Sequence, residues 1–98
     1  MILFGDTYFE WDAAKESENI RKHGLSFYEA ITVFDDEDAL YLYDDSHSGI
    51  EDRFIIIGMS DKANILLVCH CYREDDSVIR IISAREATGT ESKLYGGV

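Results

Sequence analysis

The residues of this sequence that can move a proton or hold a negative charge are few and set on an acidic background. The candidates among them are Lys22, His23, His47, Arg53, His70, Tyr72, Arg80, Arg85, Lys93 and Tyr95. Histidine titrates near neutral pH and suits proton transfer. Guanidinium grips a phosphate with two parallel N–H donors. Lys22 and His23 directly precede Gly24. They read either as a functional pair or as cations complementing the end of a helix, a contribution of about 0.3–1 kcal/mol. Arg53 follows Glu51-Asp52, so it is a phosphate ligand or half of a weak surface ion pair. Arg80 and Arg85 sit at or beside a run otherwise made of Ile, Ser and Ala.

On a regular strand Arg80 shares a face with Ile82 and Ala84, while Ile79, Ile81, Ser83 and Arg85 take the other. Both arginines line one face only if the strand bulges, or ends before Arg85. Arg80 is therefore assigned to the site, and Arg85 to the site or to a pairing with the terminal helix. His70, in LLVCHCY, reads as a core or sheet-face residue before it reads as a catalyst. It shares strand parity with Leu66, Val68 and Tyr72, so a His–Tyr end on one face is expected. His47 reads as a solvated loop residue. Trp11 and Phe9 read as core before they read as a base-stacking platform. Cys69 and Cys71 share a face, too close in sequence for an unstrained disulfide, with His70 pointing away. No further ligand stands at metal-site spacing, so neither a metal nor another cofactor is expected.

Charge distribution bounds the class of partner. The net charge is −11, opposite to the basic footprint of non-specific nucleic-acid binding. From Asp35 to Asp52 there are eight acidic residues and no Lys or Arg, and Glu74-Asp75-Asp76 adds three more. The sequence thus fits an acidic exterior with one basic cleft, or a protein whose partners are basic. Its 98 residues suit one hydrophobic core, hence one domain over residues 1–98. No apolar run approaches the roughly 18 residues of a membrane span. Met1 to Asp6 lacks the basic and apolar regions of a secretory signal. A cytoplasmic protein is expected.

The positioning elements are legible. Residues 1–11 are apolar and aromatic, with Phe4, Tyr8, Phe9 and Trp11 around a Gly5-Asp6 turn, which suggests two short strands or one bent strand. Asp12 caps a helix from Ala13 to Lys22 that Gly24 ends in the left-handed conformation. Ser26-x-x-Glu29 is a capping box, and Phe27, Ala30, Ile31 and Phe34 form one apolar stripe. Strands are predicted at 39–43, 53–60, 64–73 and 77–84, the last three joined by hairpin-length links into an antiparallel meander. Thr88-x-x-Glu91 caps a short helix through Tyr95, and Gly96-Gly97 reads as a frayed end.

Several segments together resemble the BrnT toxin family. They are Phe9-Glu10-Trp11-Asp12, Lys22-His23-Gly24, Ser26-Phe27-x-Glu29-Ala30, Val33-Phe34-Asp35-Asp36 and Arg53-Phe54-Ile55-x-Ile57-Gly58. The strand ending His70-x-Tyr72 and the run Ile79-Arg80-Ile81-Ile82-Ser83-Ala84-Arg85-x-Ala87-Thr88 complete the series. The resemblance runs from residue 9 to about residue 95, and FEWD, KHG and RIISAR in series make it specific. It implies an α+β, RelE-like ribonuclease fold, with a helix–Gly–helix unit packed on an antiparallel sheet and a short C-terminal helix.

The activity implied is metal-independent RNA cleavage by a type II toxin that inhibits growth or translation. The partner implied is a BrnA-like ribbon-helix-helix antitoxin, which neutralises the toxin and carries any contact with operator DNA. A homodimer and a heterotetramer with the antitoxin are both compatible with this. Metal-free cleavage needs a base for the 2′-OH, an acid for the leaving oxygen and cations for the phosphate. The catalytic candidates are Lys22, His23, Arg53, Arg80 and His70; the RNA-binding candidates are Arg85, Tyr72 and Lys93. Two features depart from the family's usual look: a C-terminal segment with Lys93 as its one basic residue, and the strongly negative charge. They keep open a second reading, a catalytically silent module that retains the antitoxin-binding surface. A small-molecule enzyme has no supporting motif, since P-loop, GxGxxG and nucleophile elbow are all missing.

Overall fold

Local chemistry sets the order of elements. The computed structural model describes residues 1–49 and 51–96, the His47 side chain excepted; the readings of His47 and Gly97 fall outside the described residues. Gly5, at φ 60°, turns the chain between β1 (Ile2–Phe4) and β2 (Thr7–Glu10). Asp12 then caps α1 (Ala13–His23), its carboxylate accepting from the N–H groups of Ala14 and Lys15 at 2.8 and 3.2 Å. Gly24, at φ 69°, ends that helix in the conformation glycine adopts at least cost. Ser26 caps α2 (Phe27–Thr32) by accepting from the Glu29 N–H, and a 3-10 turn, Val33–Asp35, follows.

The capping box at Ser26 is only half made. The Glu29 carboxylate turns away to accept from Ser60 Oγ and Asn64 Nδ2, at 2.7 and 3.0 Å, in the β4–β5 link. Glu16 of α1 accepts from the next backbone donor, the Phe27 N–H, at 3.0 Å.

The remaining strands are β3 (Leu40–Tyr43), β4 (Phe54–Met59), β5 (Ile65–Arg73) and β6 (Val78–Glu86), followed by α3 (Gly89–Gly96). The sheet order is β1-β2-β6-β5-β4-β3. The expected meander is present, but the N-terminal hairpin joins it through a parallel pairing of β2 with β6. That makes the sheet mixed rather than wholly antiparallel. A parallel pair needs a long crossover, and the chain between β2 and β6 supplies it with the helices and the other strands. Among the described residues no helix is long and apolar enough to cross a membrane.

One sheet face is covered by α1 and α2. Phe9, Ile56, Leu66, Val68, Ile79, Ile81 and Ala84 meet Leu25, Phe27, Ala30, Ile31 and Val33 in the core. The apolar stripe expected on the second helix is therefore real, with Phe34 partly buried against the cluster. Close approach is enforced at Gly58, where a Cβ would stand 3.2 Å from Val33 O, Val33 Cβ and Ala39 Cβ.

The strand parity expected for the two arginines is overturned. Cys69 pairs with Ser83 but His70 pairs with Ile81, so Ile82 is an extra residue in β6, a β-bulge. The bulge resets the alternation. Ile79, Ile81 and Ala84 face the helices, while Arg80, Ser83 and Arg85 share the other face, opposite Cys71, Cys69 and Leu67. The two cysteines are free and buried on that second face, with His70 on the helix side as the spacing required.

Asn19 holds the bulged segment in place. β2 pairs only with Val78 to Arg80, so Ala84 lies beyond its end with outward backbone groups and no strand to meet them. The 5%-exposed Asn19 of α1 supplies the missing partner. Its Nδ2 donates to the carbonyls of Ala84 and Leu25, both at 2.9 Å, and its Oδ1 accepts from the Ala84 N–H at 2.9 Å.

Candidate functional site

On the second face, β4, β5, β6 and α3 enclose a groove of about 300 Å³. Arg53 enters from the start of β4, Arg85 and Ser83 from β6, and Glu91 from α3, over a floor that includes Ile55 and Leu67. Asp44 and Ser46 complete its rim. A smaller groove of about 190 Å³ adjoins it and shares Ile82 and Ser83. That one is lined by Lys15, Glu18, Asn19, Lys22 and His23 from α1. The bulge thus joins the end of α1 to the arginine groove: the residue it inserts, Ile82, lines both.

Electrostatics differ among the cations. Arg85 makes a two-pronged ion pair with Glu91, Nη1 and Nη2 donating to Oε1 and Oε2 at 2.7 and 2.9 Å. The Arg85 hydrogen bonds hold the Glu91 carboxyl down at about 2, against the opposing effect of burial and with help from the Thr88 N–H. Glu91 also completes a reciprocal cap with Thr88 at the start of α3, so Arg85 pairs with the terminal helix as one sequence reading had it. Arg80 donates to Glu10 Oε2 at 2.8 Å across the parallel β2–β6 pair. Lys22 stands 3.6 Å from Glu18, which Arg21 also engages. Arg53 is different: among the described residues its guanidinium has no ion-pair partner. Its backbone is fixed, the N–H donating to Ser48 Oγ and the carbonyl accepting from Asp44 N–H, each at 2.9 Å.

The structure brings Arg53 and Arg85 together and sets Lys22 and His23 in the adjoining groove. Arg80 shares their sheet face but lies toward the β2 side, roughly 13 Å along the strand from Arg85. Lys93 is exposed on α3. His70 and Tyr72 are not part of this grouping. His70 is fully buried on the helix-covered face, in edge contact with Phe34 and Tyr72 and beside Phe54. Its Nδ1–H donates to the Val68 carbonyl at 3.2 Å, and Nε2 is the one buried side-chain polar atom without a partner among the described residues. Burial pulls its pKa down to about 4, so it is neutral at pH 7.

Sequence reasoning missed Glu10 as the partner of Arg80, and it gave Arg85 to the terminal helix without naming Glu91. It also missed the Asp44–Ser46 rim. Glu91 had a signal in the Thr88-x-x-Glu91 pattern, but a cap by itself says nothing of a second bond to Arg85. Cys69 stays a thiol under the groove, its pKa pushed up to about 11 by burial and by the neighbouring Asp44.

A comparison with curated proteins gave no match. Among solved structures, the 1.1 Å crystal structure of the Brucella abortus ribonuclease toxin BrnT matches with a TM-score of 0.66 and 25% identity. The match covers 84% of this chain and 97% of that one. The family model described as the ribonuclease toxin BrnT of type II toxin–antitoxin systems matches residues 11–91. That span takes in the helix–Gly–helix unit, the bulged strand and the Arg85–Glu91 pair, and the chain belongs to the BrnT family.

Proposed function

We propose that this chain is a RelE-like, metal-independent endoribonuclease, the toxin of a type II pair in the bacterial cytoplasm, and that it arrests growth by cutting RNA. The observation that carries the reading is a pair of adjoining grooves at the β6 bulge: Arg53 and Arg85 line the one on the second sheet face, and Lys22 and His23 the one against α1. Arg53 and Arg85 hold the scissile phosphate and stabilise the charge that develops on it. His23 takes the 2′-OH proton as the 2′-oxygen bonds to phosphorus, and the P–O5′ bond breaks as Lys22 gives a proton to the leaving 5′-oxygen, leaving a 2′,3′-cyclic phosphate. Arg80 and Lys93 bind flanking phosphates. His70 and Tyr72 serve packing, since a buried neutral imidazole on the opposite face cannot reach the same phosphate.

The partner is a BrnA-like ribbon-helix-helix antitoxin that carries the operator contact, in a toxin–antitoxin heterotetramer. The carboxylates from Asp35 to Asp52 steer its basic surface. The test uses the purified chain, freed of antitoxin, with total RNA and EDTA. Cleavage that survives EDTA and disappears in Arg53→Ala supports the reading. RNA left intact across substrates and pH refutes it.

A second reading, a silent module that keeps only antitoxin binding, is favoured by one observation. Two of the arginines are already engaged by carboxylates, Arg80 by Glu10 and Arg85 by Glu91. Glu91→Gln separates the two. Cleavage rises in an enzyme whose Arg85 is released, and stays nil in a silent module.

A further inference from the structure

β3 is an edge strand: the sheet order ends on it, and among the described residues its one ladder is with β4. Its sequence, LYLY, lacks the Lys, Pro or inward charge that usually blunts a free edge. Tyr41, Leu42 and Tyr43 are 55, 40 and 49% exposed. The register says which backbone groups are free. Asp44 N–H donates to the Arg53 carbonyl, so in the alternating antiparallel pattern Leu42 and Leu40 also bond to β4. Tyr41 and Tyr43 then direct their N–H and C=O groups outward, where no turn or loop bond takes them up among the described residues.

Both ends of this edge are acidic. At the Leu40 end a groove of about 510 Å³ contains Asp35, Asp36, Asp38 and Asp61, beside Met59 and Tyr95. At the Tyr43 end a groove of about 410 Å³ contains Glu51, Asp52 and Asp76 beside Phe54 and Tyr72. Among the described residues neither lining includes a Lys or Arg, although Arg73 engages Glu51 from outside the second groove at 3.1 Å, which leaves Asp52 and Asp76 as its unpaired carboxylates with respect to cations. The grooves stand at the two ends of β4, six residues apart end to end and roughly 17 Å long. A second copy of this chain is a poor occupant, because pairing β3 with β3 sets these carboxylates against each other in a molecule of net charge −11.

We infer that the outer edge of β3 docks an extended segment of a protein partner by strand addition, with basic side chains about five residues apart entering the two acidic grooves. The backbone groups of Tyr41 and Tyr43 give up to four hydrogen bonds, and the grooves set polarity and register. The inference rests on the toxin–antitoxin reading for the partner, a segment of the antitoxin, but not for the geometry.

The test takes the full chain and a capped eight-residue peptide, Arg-Lys-Val-Thr-Val-Thr-Lys-Arg, beside a counterpart with Glu at every basic position. Amide exchange and shifts are followed by NMR at low salt. The expected result is binding of the basic peptide at least tenfold tighter than the acidic one, weakening with salt. Exchange slows at Tyr41 and Tyr43 and changes little at Leu40 and Leu42. Tyr41→Pro removes one outward donor and no ladder bond, and it weakens binding tenfold while the thermal melt is kept. If that variant does not fold, the alternating exchange pattern decides alone. No binding at millimolar peptide, equal binding of the two peptides, or protection on another surface overturns the inference. RNA cleavage by the same preparation is scored separately, so loss of cleavage with binding intact refutes the enzyme reading and not this one.

Discussion

Replacing Asn19 with Ala removes the one side chain that completes β6 beyond the end of β2. Three hydrogen bonds go with it, two from Nδ2 and one to Oδ1, all at 2.9 Å and all to backbone. Each such bond is worth about 1 kcal/mol net, and a buried backbone group left unmet costs about 1–3 kcal/mol. Asn19 also lines the groove with Lys22 and His23, so water can reach part of the gap and offset some of this. The expected loss is about 2–4 kcal/mol, which in a domain of this size lowers Tm by roughly 10–20 °C. Differential scanning calorimetry measures it, and hydrogen exchange localises it: Ala84 N–H should lose protection ahead of the β4–β5 amides. RNA cleavage should fall as well, because the same bonds seat the end of α1 beside the bulge. A Tm within about 3 °C of wild type, a shift worth under 1 kcal/mol, with Ala84 still protected, would refute the reasoning.

His70 makes stability depend on pH. Its folded pKa of about 4 lies below the ordinary 6.5, so the neutral form contributes stability that is complete above pH 6.5 and is lost as pH falls toward 4. The expected loss is about 2–3 kcal/mol, and urea melts of His70→Phe should lack that slope. Glu91 acts in a lower window: its stabilising pair is present above the usual carboxylate range and lost as pH falls toward about 2. Because both partners are partly exposed, Glu91→Gln should cost only about 1 kcal/mol in a urea melt at pH 7, while raising RNA affinity in a filter-binding assay. Gly58→Ala forces a Cβ against the Val33 carbonyl at 3.2 Å and should destabilise by about 1–3 kcal/mol in the same melts.

Much of the fold was legible because local signals and tertiary needs agree. Asp12, Gly24 and Thr88-x-x-Glu91 act through neighbouring backbone groups, and the structure shows those bonds or that φ as expected. Ser26 shows where local reading stops, since Glu29 is drawn off by Ser60 and Asn64, 31 and 35 residues away. The parallel pairing of β2 with β6 is likewise a long-range choice that no window of sequence contains. The candidate site was read as residue types but not as a grouping. One inserted residue, Ile82, moves Arg85 onto the face of Arg80, and an isolated strand pattern of Ile, Arg and Ser does not mark where a bulge falls. The Arg80–Glu10 pair was hidden because the sheet joins residues 70 apart, whereas Arg85 and Glu91 are six apart and their pairing was legible as far as the terminal helix.

The central claim is that RNA is cut in the groove of Arg53 and Arg85 and not around His70. Its most direct test is the single-turnover cleavage rate of one RNA, in EDTA, by wild type, Arg53→Ala, Arg85→Ala and His70→Phe, each shown folded at the assay temperature. The account predicts a loss of at least a hundredfold, about 2.7 kcal/mol of transition-state stabilisation, in each arginine variant and a near-normal rate in His70→Phe. Near-normal rates in both arginine variants with loss in His70→Phe would contradict it.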